Sequence, residues 1–193
     1  MPPHFRTFTT GGAEYSLRYT ERLAKGHPDK AVFVASTEPG GRVVVVKFTH
    51  SYSKAAHALL SDRKLAPRLQ YCERVKDVGM YVVVMDFVTG EHVVETHTNE
   101  LLSNKLRAAV KVLHDEDYVH GDLREPNILI KGDGGIKIID FNWAGKVGEA
   151  YYPPHINLDK AVGWHPDVTS GGLIDKAHDL AMLRRLTGSG LEV

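Results

Sequence analysis

The sequence holds a single cysteine, Cys72, among 193 residues. One thiol excludes an intramolecular disulfide and a four-cysteine zinc site, and it suits a buried structural thiol in a reducing compartment. Charge of one sign is also lacking, since 24 Lys and Arg face 24 Asp and Glu. No global field then favours nucleic acid or an anionic membrane, and neither is expected as a partner. No uninterrupted apolar run reaches the roughly 18 residues of a membrane span, and MPPHFRTFTTGG lacks the basic-then-apolar order of a leader. The expectation is an intracellular chain, cytoplasmic or nuclear. There is no internal repeat and no low-complexity tract. His92 and His97 in EHVVETH are five positions apart, which places them on no common helix or strand face, so they are read as solvated loop histidines and not as a zinc site. A G-x-S-x-G nucleophile elbow is absent as well.

What is present divides into two halves. In the first, AVFVAS (31–36) and RVVVVKF (42–48) flank TEPGG and read as an antiparallel hairpin. SYSKAAHALLSDRKLAP follows, with Ala55, Ala56, Leu59 and Leu60 at helical spacing before Pro67. LQYCERV and MYVVVMDFV (80–88) read as a further strand pair. In the second half, NELLSNKLRAAVKVLHDE carries Leu102, Leu106, Ala109, Val110 and Leu113 on one helical face. NILI (127–130) and GIKIID (135–140), joined by KGDG, form a short hairpin, and LIDKAHDLAMLRRLTG reads as a closing helix stopped by Gly188. Residues 1–14, with Pro, Gly and Thr and no periodicity, read as a loose lead-in.

Three polar features interrupt this apolar frame. Lys47 ends a run of four valines, Asp122 and Asn127 sit five apart in VHGDLREPNILI, and Asp140 closes GIKIID. Groups of this kind are costly to desolvate without partners. Taken singly they are a strand end, a loop acid and a strand start. Taken together, in this order and on these elements, they resemble the protein kinase signature set from about Tyr15 to Leu186.

The resemblance implies an α+β, bilobal protein-kinase-like fold over residues 1–193. Its mainly antiparallel β N-terminal lobe would run over about 15–88, and a shortened, mainly helical C-terminal lobe over about 89–193. It implies ATP and Mg2+ as cofactors. Lys47 would grip the α- and β-phosphates, Asp122 would accept or orient the acceptor hydroxyl, and Asn127 and Asp140 would hold the metal. Arg124 would lie near the transferring phosphate, where a guanidinium can hold it bidentately. Met85 would line the adenine pocket, and the main chain of Asp86 and Val88 would meet the adenine edge. Asp179 would brace the catalytic loop through backbone N–H groups. These groups are expected to converge on one cleft.

Departures from the pattern shape the rest of the expectation. Gly26 is the one glycine where a phosphate cover belongs, and Ala55, Ala56 or His57 stand where a helix Glu should pair with Lys47. Asn142 replaces the glycine of D-F-G, and nothing after YYPP resembles A-P-E. His120-Gly121-Asp122 lacks the arginine of H-R-D and with it the usual pairing to an activation-loop phosphate. That form is similar to aminoglycoside and choline phosphotransferases and to small kinases of a tRNA-modifying complex. The expected function is phosphotransfer from ATP to a hydroxyl, first a protein Ser or Thr and second a small-molecule acceptor. The alternative is a pseudokinase retained as a binding or scaffold module.

Overall fold

The computed structural model describes residues 3–27, 30–93 and 99–188. Contacts divide the chain into two compact units, Met1–Tyr52 with Pro67–Val88 and Ser53–Ala66 with Thr89–Val193. His97 lies outside the described residues.

The described residues of the first unit form one antiparallel sheet of six strands in the order β1-β2-β3-β4-β6-β5. The strands are β1 (Thr7–Thr10), β2 (Ala13–Leu23), β3 (Ala31–Glu38), β4 (Val43–Thr49), β5 (Leu69–Val75) and β6 (Met80–Asp86). The two-residue period of a strand explains β4: Val44, Val46 and Phe48 join Phe8, Leu17, Ala35, Val82 and Val84 in the core, while Lys47 points to the other face. The sheet curls so that its two edges meet, with the Phe8 ring on β1 5.9 Å from that of Tyr71 on β5. Within the stretch read as a loose lead-in, Thr7–Thr10 is therefore an ordered strand. Thr7–Thr10 pairs with 13–16 in register, and Gly11 and Gly12 turn the chain at φ values of 58° and 78°. Phe8 is what holds this short hairpin, because its buried ring stacks on Tyr15.

The second unit contains α1 (Lys54–Asp62), α2 (Glu100–Asp115) and α3 (Lys176–Thr187). Its short strands among the described residues are β7 (Glu91–His92), β8 (Tyr118–Val119), β9 (Ile128–Ile130), β10 (Ile136–Ile138) and β11 (Gly145–Lys146). The order β10-β9-β7 makes one small sheet and β11-β8 a second. Ser53 caps α1 by accepting from the Ala56 N–H, and Asn99 caps α2 by accepting from Leu102. α3 opens on a reciprocal cap between Asp175 and His178 and stops at Gly188, whose φ is 61°. Leu102, Leu106, Ala109, Val110 and Leu113 of α2 are all buried.

α1 does not belong with the sheet, as an N-terminal lobe over 15–88 would have it. The Ser53 N–H donates to the Phe141 carbonyl at 3.0 Å, the Ile138 N–H donates to Leu65 at 2.8 Å, and Lys137 Nζ donates to Lys64 O at 2.7 Å. These bonds tie both ends of the 53–66 segment to the second unit. A sequence shows the helix but not which body its buried face will choose.

Candidate active site

The second unit builds a polar site from one loop and one hairpin. The loop runs from β8 through His120, Gly121 and Asp122 to a 3-10 turn at Glu125–Asn127. Pro126 suits the first turn of such a helix, where a missing N–H costs nothing. The Asn127 N–H donates to Arg124 O at 2.8 Å. Its side-chain Nδ2 donates twice to Asp122, to the carbonyl and to Oδ2, each at 2.8 Å. The amide oxygen of Asn127 is then the acceptor that this side chain offers elsewhere.

Register places the next carboxylate. Ile128 pairs with Ile138 in the β9–β10 hairpin, so 127 stands opposite 139, and the Ile139 N–H donates to the Asn127 carbonyl at 2.9 Å. Asp140 follows at once, in the left-handed region with φ 66°. Asn142, which stands where the resemblance has a glycine, is not among the residues of positive φ. The unusual backbone conformation falls on an aspartate, one of the few types that tolerate it.

Buried groups hold the loop from behind. Asp179 is 1% exposed, and its two oxygens accept the N–H groups of His120 and Gly121, both at 2.8 Å. His114 Nε2 lies 3.2 Å from the same carboxylate. The His120 ring accepts the Asp122 N–H at Nδ1, so Nε2 carries the proton and donates to the Ile139 carbonyl at 3.2 Å. Phe141 packs edge-on against His120 and lies flat on His57, at 4.6 Å between centroids and 7° between planes. Of the three residues that stand where a helix Glu was sought, His57 is thus a packing residue on Phe141.

Gly121 is required where it stands. Its φ is 78°, and a Cβ there would lie 2.8 Å from Ile174 Cδ1 and 3.4 Å from Trp143 Cβ. Apolar side chains occupy the space that an arginine would need. Gly121→Ala is expected to lower stability by about 1–3 kcal/mol through left-handed strain and overpacking. Denaturant unfolding monitored by circular dichroism checks this, and an unchanged midpoint would contradict the packing account.

The electrostatics centre on Asp122, which is 7% exposed. Burial pushes its carboxyl above the ordinary range and the charge of Asp140 adds to the rise, whereas Arg124 and His120 oppose it. Arg124 Nε is 2.6 Å from Asp122 Oδ1. The approach is an ion pair by distance, but its angle falls outside hydrogen-bond geometry and leaves both atoms without a directed bond. A second contact, from Arg124 Nη2 to Asp122 Oδ2 at 3.4 Å, is a long hydrogen bond, and burial remains the largest influence on the carboxyl. Beside the loop opens a cavity of about 310 Å³, lined in part by Leu123, Met182, Leu186, Arg124, Glu125 and Asp159.

Asp122, Arg124, Asn127 and Asp140 thus come together in the second unit. Lys47, Gly26, Asp86 and Val88 belong to the first. Lys47 is buried in β4 with its ammonium 6.0 Å from the Tyr52 ring centroid. The Asp86 N–H donates to the Arg68 carbonyl at 2.9 Å, so that main-chain donor is already engaged. Gly26 is exposed, lacks a positive φ, and a Cβ there would meet nothing, so nothing in its loop demands a glycine. Among the described residues of that loop, Ala24 is left-handed, at φ 52°. Among the described residues no group of three or more His, Cys, Asp or Glu is placed to hold a metal.

Residues 44–162, more than half of the chain, match the protein kinase domain family. The chain belongs to that family. It is similar to the serine/threonine-protein kinase Nek1 of Mus musculus, 26% identical over 143 residues that make up 64% of this chain and 12% of that protein. It is also similar to the protein kinase kin1 of Schizosaccharomyces pombe, 28% identical over 194 residues, 84% of this chain and 20% of the other. A third is the serine/threonine-protein kinase PAK 4 of Homo sapiens, 26% identical over 133 residues, 61% and 22%. This kinase-family chain spans between 12% and 22% of the length of these relatives. The matched stretch takes in Lys47, Asp122, Asn127 and Asp140.

Proposed function

We propose that this chain transfers the γ-phosphate of ATP to a hydroxyl, with Ser or Thr of a polypeptide as the acceptor. One observation carries the reading: Asn127 ties to the Asp122 carboxylate at 2.8 Å, and the Ile139 N–H, one residue before Asp140, donates to the Asn127 carbonyl at 2.9 Å. Asp122 is the group that orients the acceptor hydroxyl and takes its proton. A raised pKa makes it a better base once ionised. Arg124 holds its carboxylate in place and supplies a cation next to the reacting oxygens.

The donor set fits magnesium. Asp140 offers a carboxylate and Asn127 an amide oxygen, and this ion takes one or two such hard ligands together with phosphate oxygens and water, so a cage of three acids is not needed. Bound there, it would neutralise charge on the phosphates. Lys47 is assigned to the phosphates of the nucleotide. The cavity bordered by Arg124 and Glu125 is assigned to the acceptor, whose apolar side chains suit Leu123, Met182 and Leu186. The serine/threonine kinase names among the relatives favour a polypeptide acceptor.

Incubation with γ-labelled ATP, magnesium and separate peptide and metabolite pools tests this. Label is expected in the peptide pool, and the acid limb of the rate profile is expected to move to higher pH in Arg124→Ala. The sign follows from Asp122: it works ionised, Arg124 lowers its pKa, and removing that cation raises it further. Label in neither pool, with the melting midpoint still raised by ATP, would support instead a fold kept for binding. His57, in place of the expected Glu, is the feature that favours this rival.

A further inference from the structure

At one end of the curled sheet a cavity of about 160 Å³ opens in the first unit, lined by residues of β1 to β5 and the turns joining them. Phe8, Tyr15 and Val44 supply its apolar wall, and Thr10, Thr37, Arg42, Arg68 and Gln70 its polar groups. We propose that this cavity binds a phosphate monoester dianion, by bidentate contact to Arg68 and Arg42 and hydroxyl contact from Thr37.

Three observations point to an oxyanion. Arg68 is exposed, and its guanidinium makes no ion pair or hydrogen bond with the described residues, so a cation is presented uncompensated at the rim. Thr37 is 3% exposed, and although its main chain is bonded to Arg42 and Gly41, its hydroxyl has no hydrogen-bond partner among the described residues. The hydroxyl is open to the cavity, where an oxygen of a ligand can reach it. Third, the neighbouring donors already hold an oxyanion: Gln70 Nε2 donates to Asp86 Oδ1 at 2.7 Å, and Arg42 Nη1 lies 3.5 Å from the same oxygen. The Arg42–Asp86 pair is half exposed on the arginine side, and pairs of that kind contribute little, so a dianion can recruit Arg42.

Size and donor number narrow the ligand. The cavity is smaller than the roughly 300–1,000 Å³ of sites for drug-sized molecules, so a single small group enters it. With the Gln70 amide engaged by Asp86, two guanidiniums and two hydroxyls remain, and they match the three terminal oxygens of a phosphate monoester better than the two of a carboxylate. A phosphorylated Ser on a polypeptide and free phosphate both carry this chemistry.

Isothermal titration of the full chain with inorganic phosphate, with an O-phosphoserine peptide and with the same peptide unphosphorylated tests the site. Binding of a phosphate-bearing probe is expected to weaken with salt, and to weaken roughly 10- to 100-fold in Arg68→Ala, with part of the loss restored in Arg68→Lys. Thr37→Val is expected to weaken it several-fold at an unchanged melting midpoint. Tighter binding of the phosphopeptide than of phosphate would identify a polypeptide source, and equal binding a free one. Both support the site if they depend on Arg68. Binding that is the same in Arg68→Ala, or no binding of either phosphate-bearing probe, overturns it. The outcome is independent of the proposed phosphotransfer, because the Arg68 side chain is assigned no part in it.

Discussion

Asp122→Asn is expected to lower phosphotransfer roughly 10²- to 10⁴-fold while leaving the melting midpoint at or above that of the parent chain. The two halves of this result have one cause. Burial holds the Asp122 carboxyl above its ordinary range, so the folded chain keeps that proton more tightly than the unfolded chain does. The stability contributed by the group is complete below the ordinary carboxyl pKa and declines as pH rises through the raised native value. At neutral pH the ionised form is therefore a burden on the fold, and an uncharged amide of the same shape lifts it. Rates with labelled ATP and melting curves at pH 5 and pH 8 check both halves. Full activity in the variant would remove Asp122 from the chemistry. A midpoint lowered by many degrees would show that the carboxylate is an anchor of the loop.

Asp179→Ala is expected to have the largest effect on stability. The change strands the His120 and Gly121 N–H groups inside the protein and takes the nearby carboxylate from His114. Each buried donor left without a partner costs about 1–3 kcal/mol, so a total near 3–5 kcal/mol is expected. For a chain of this size that corresponds to a fall of roughly 10 °C in the melting midpoint. Asp179→Asn keeps one acceptor oxygen where two are used, and it is expected to fall between the parent and the alanine variant. Equal midpoints for Asp179→Ala and the parent would mean that water replaces the carboxylate.

The parts of this site that the sequence reveals are those fixed by local order. Alternation put Lys47 opposite the core residues of β4, and the KGDG turn fixed a hairpin whose register sets Asn127 opposite Ile139. Asp179 was legible from AHDLAML, and it does meet the loop N–H groups. What stayed hidden depends on packing between distant segments. His57 reads as one polar residue on a short helix, and only the Phe141 ring lying on it shows why a histidine suits that place. Gly121 reads as a missing arginine, whereas Ile174, more than fifty positions away, supplies the steric reason. The β1 strand escaped because four residues between Pro3 and Gly11 are too few to display a period, and the ring of Phe8 is what fixes them.

The aromatic neighbourhood above Gly121 gives the chain an optical property. Its two tryptophans, Trp143 and Trp164, are 6.1 Å apart, and both rings stand against Tyr152 at 5.8 Å. Excitation at the red edge of the indole band therefore samples this one patch, and the first unit contributes no indole emission at all. Coupled indoles at such a separation give a signed near-ultraviolet dichroism band, so the order of the stretch that follows Phe141 can be followed by light without attaching a dye.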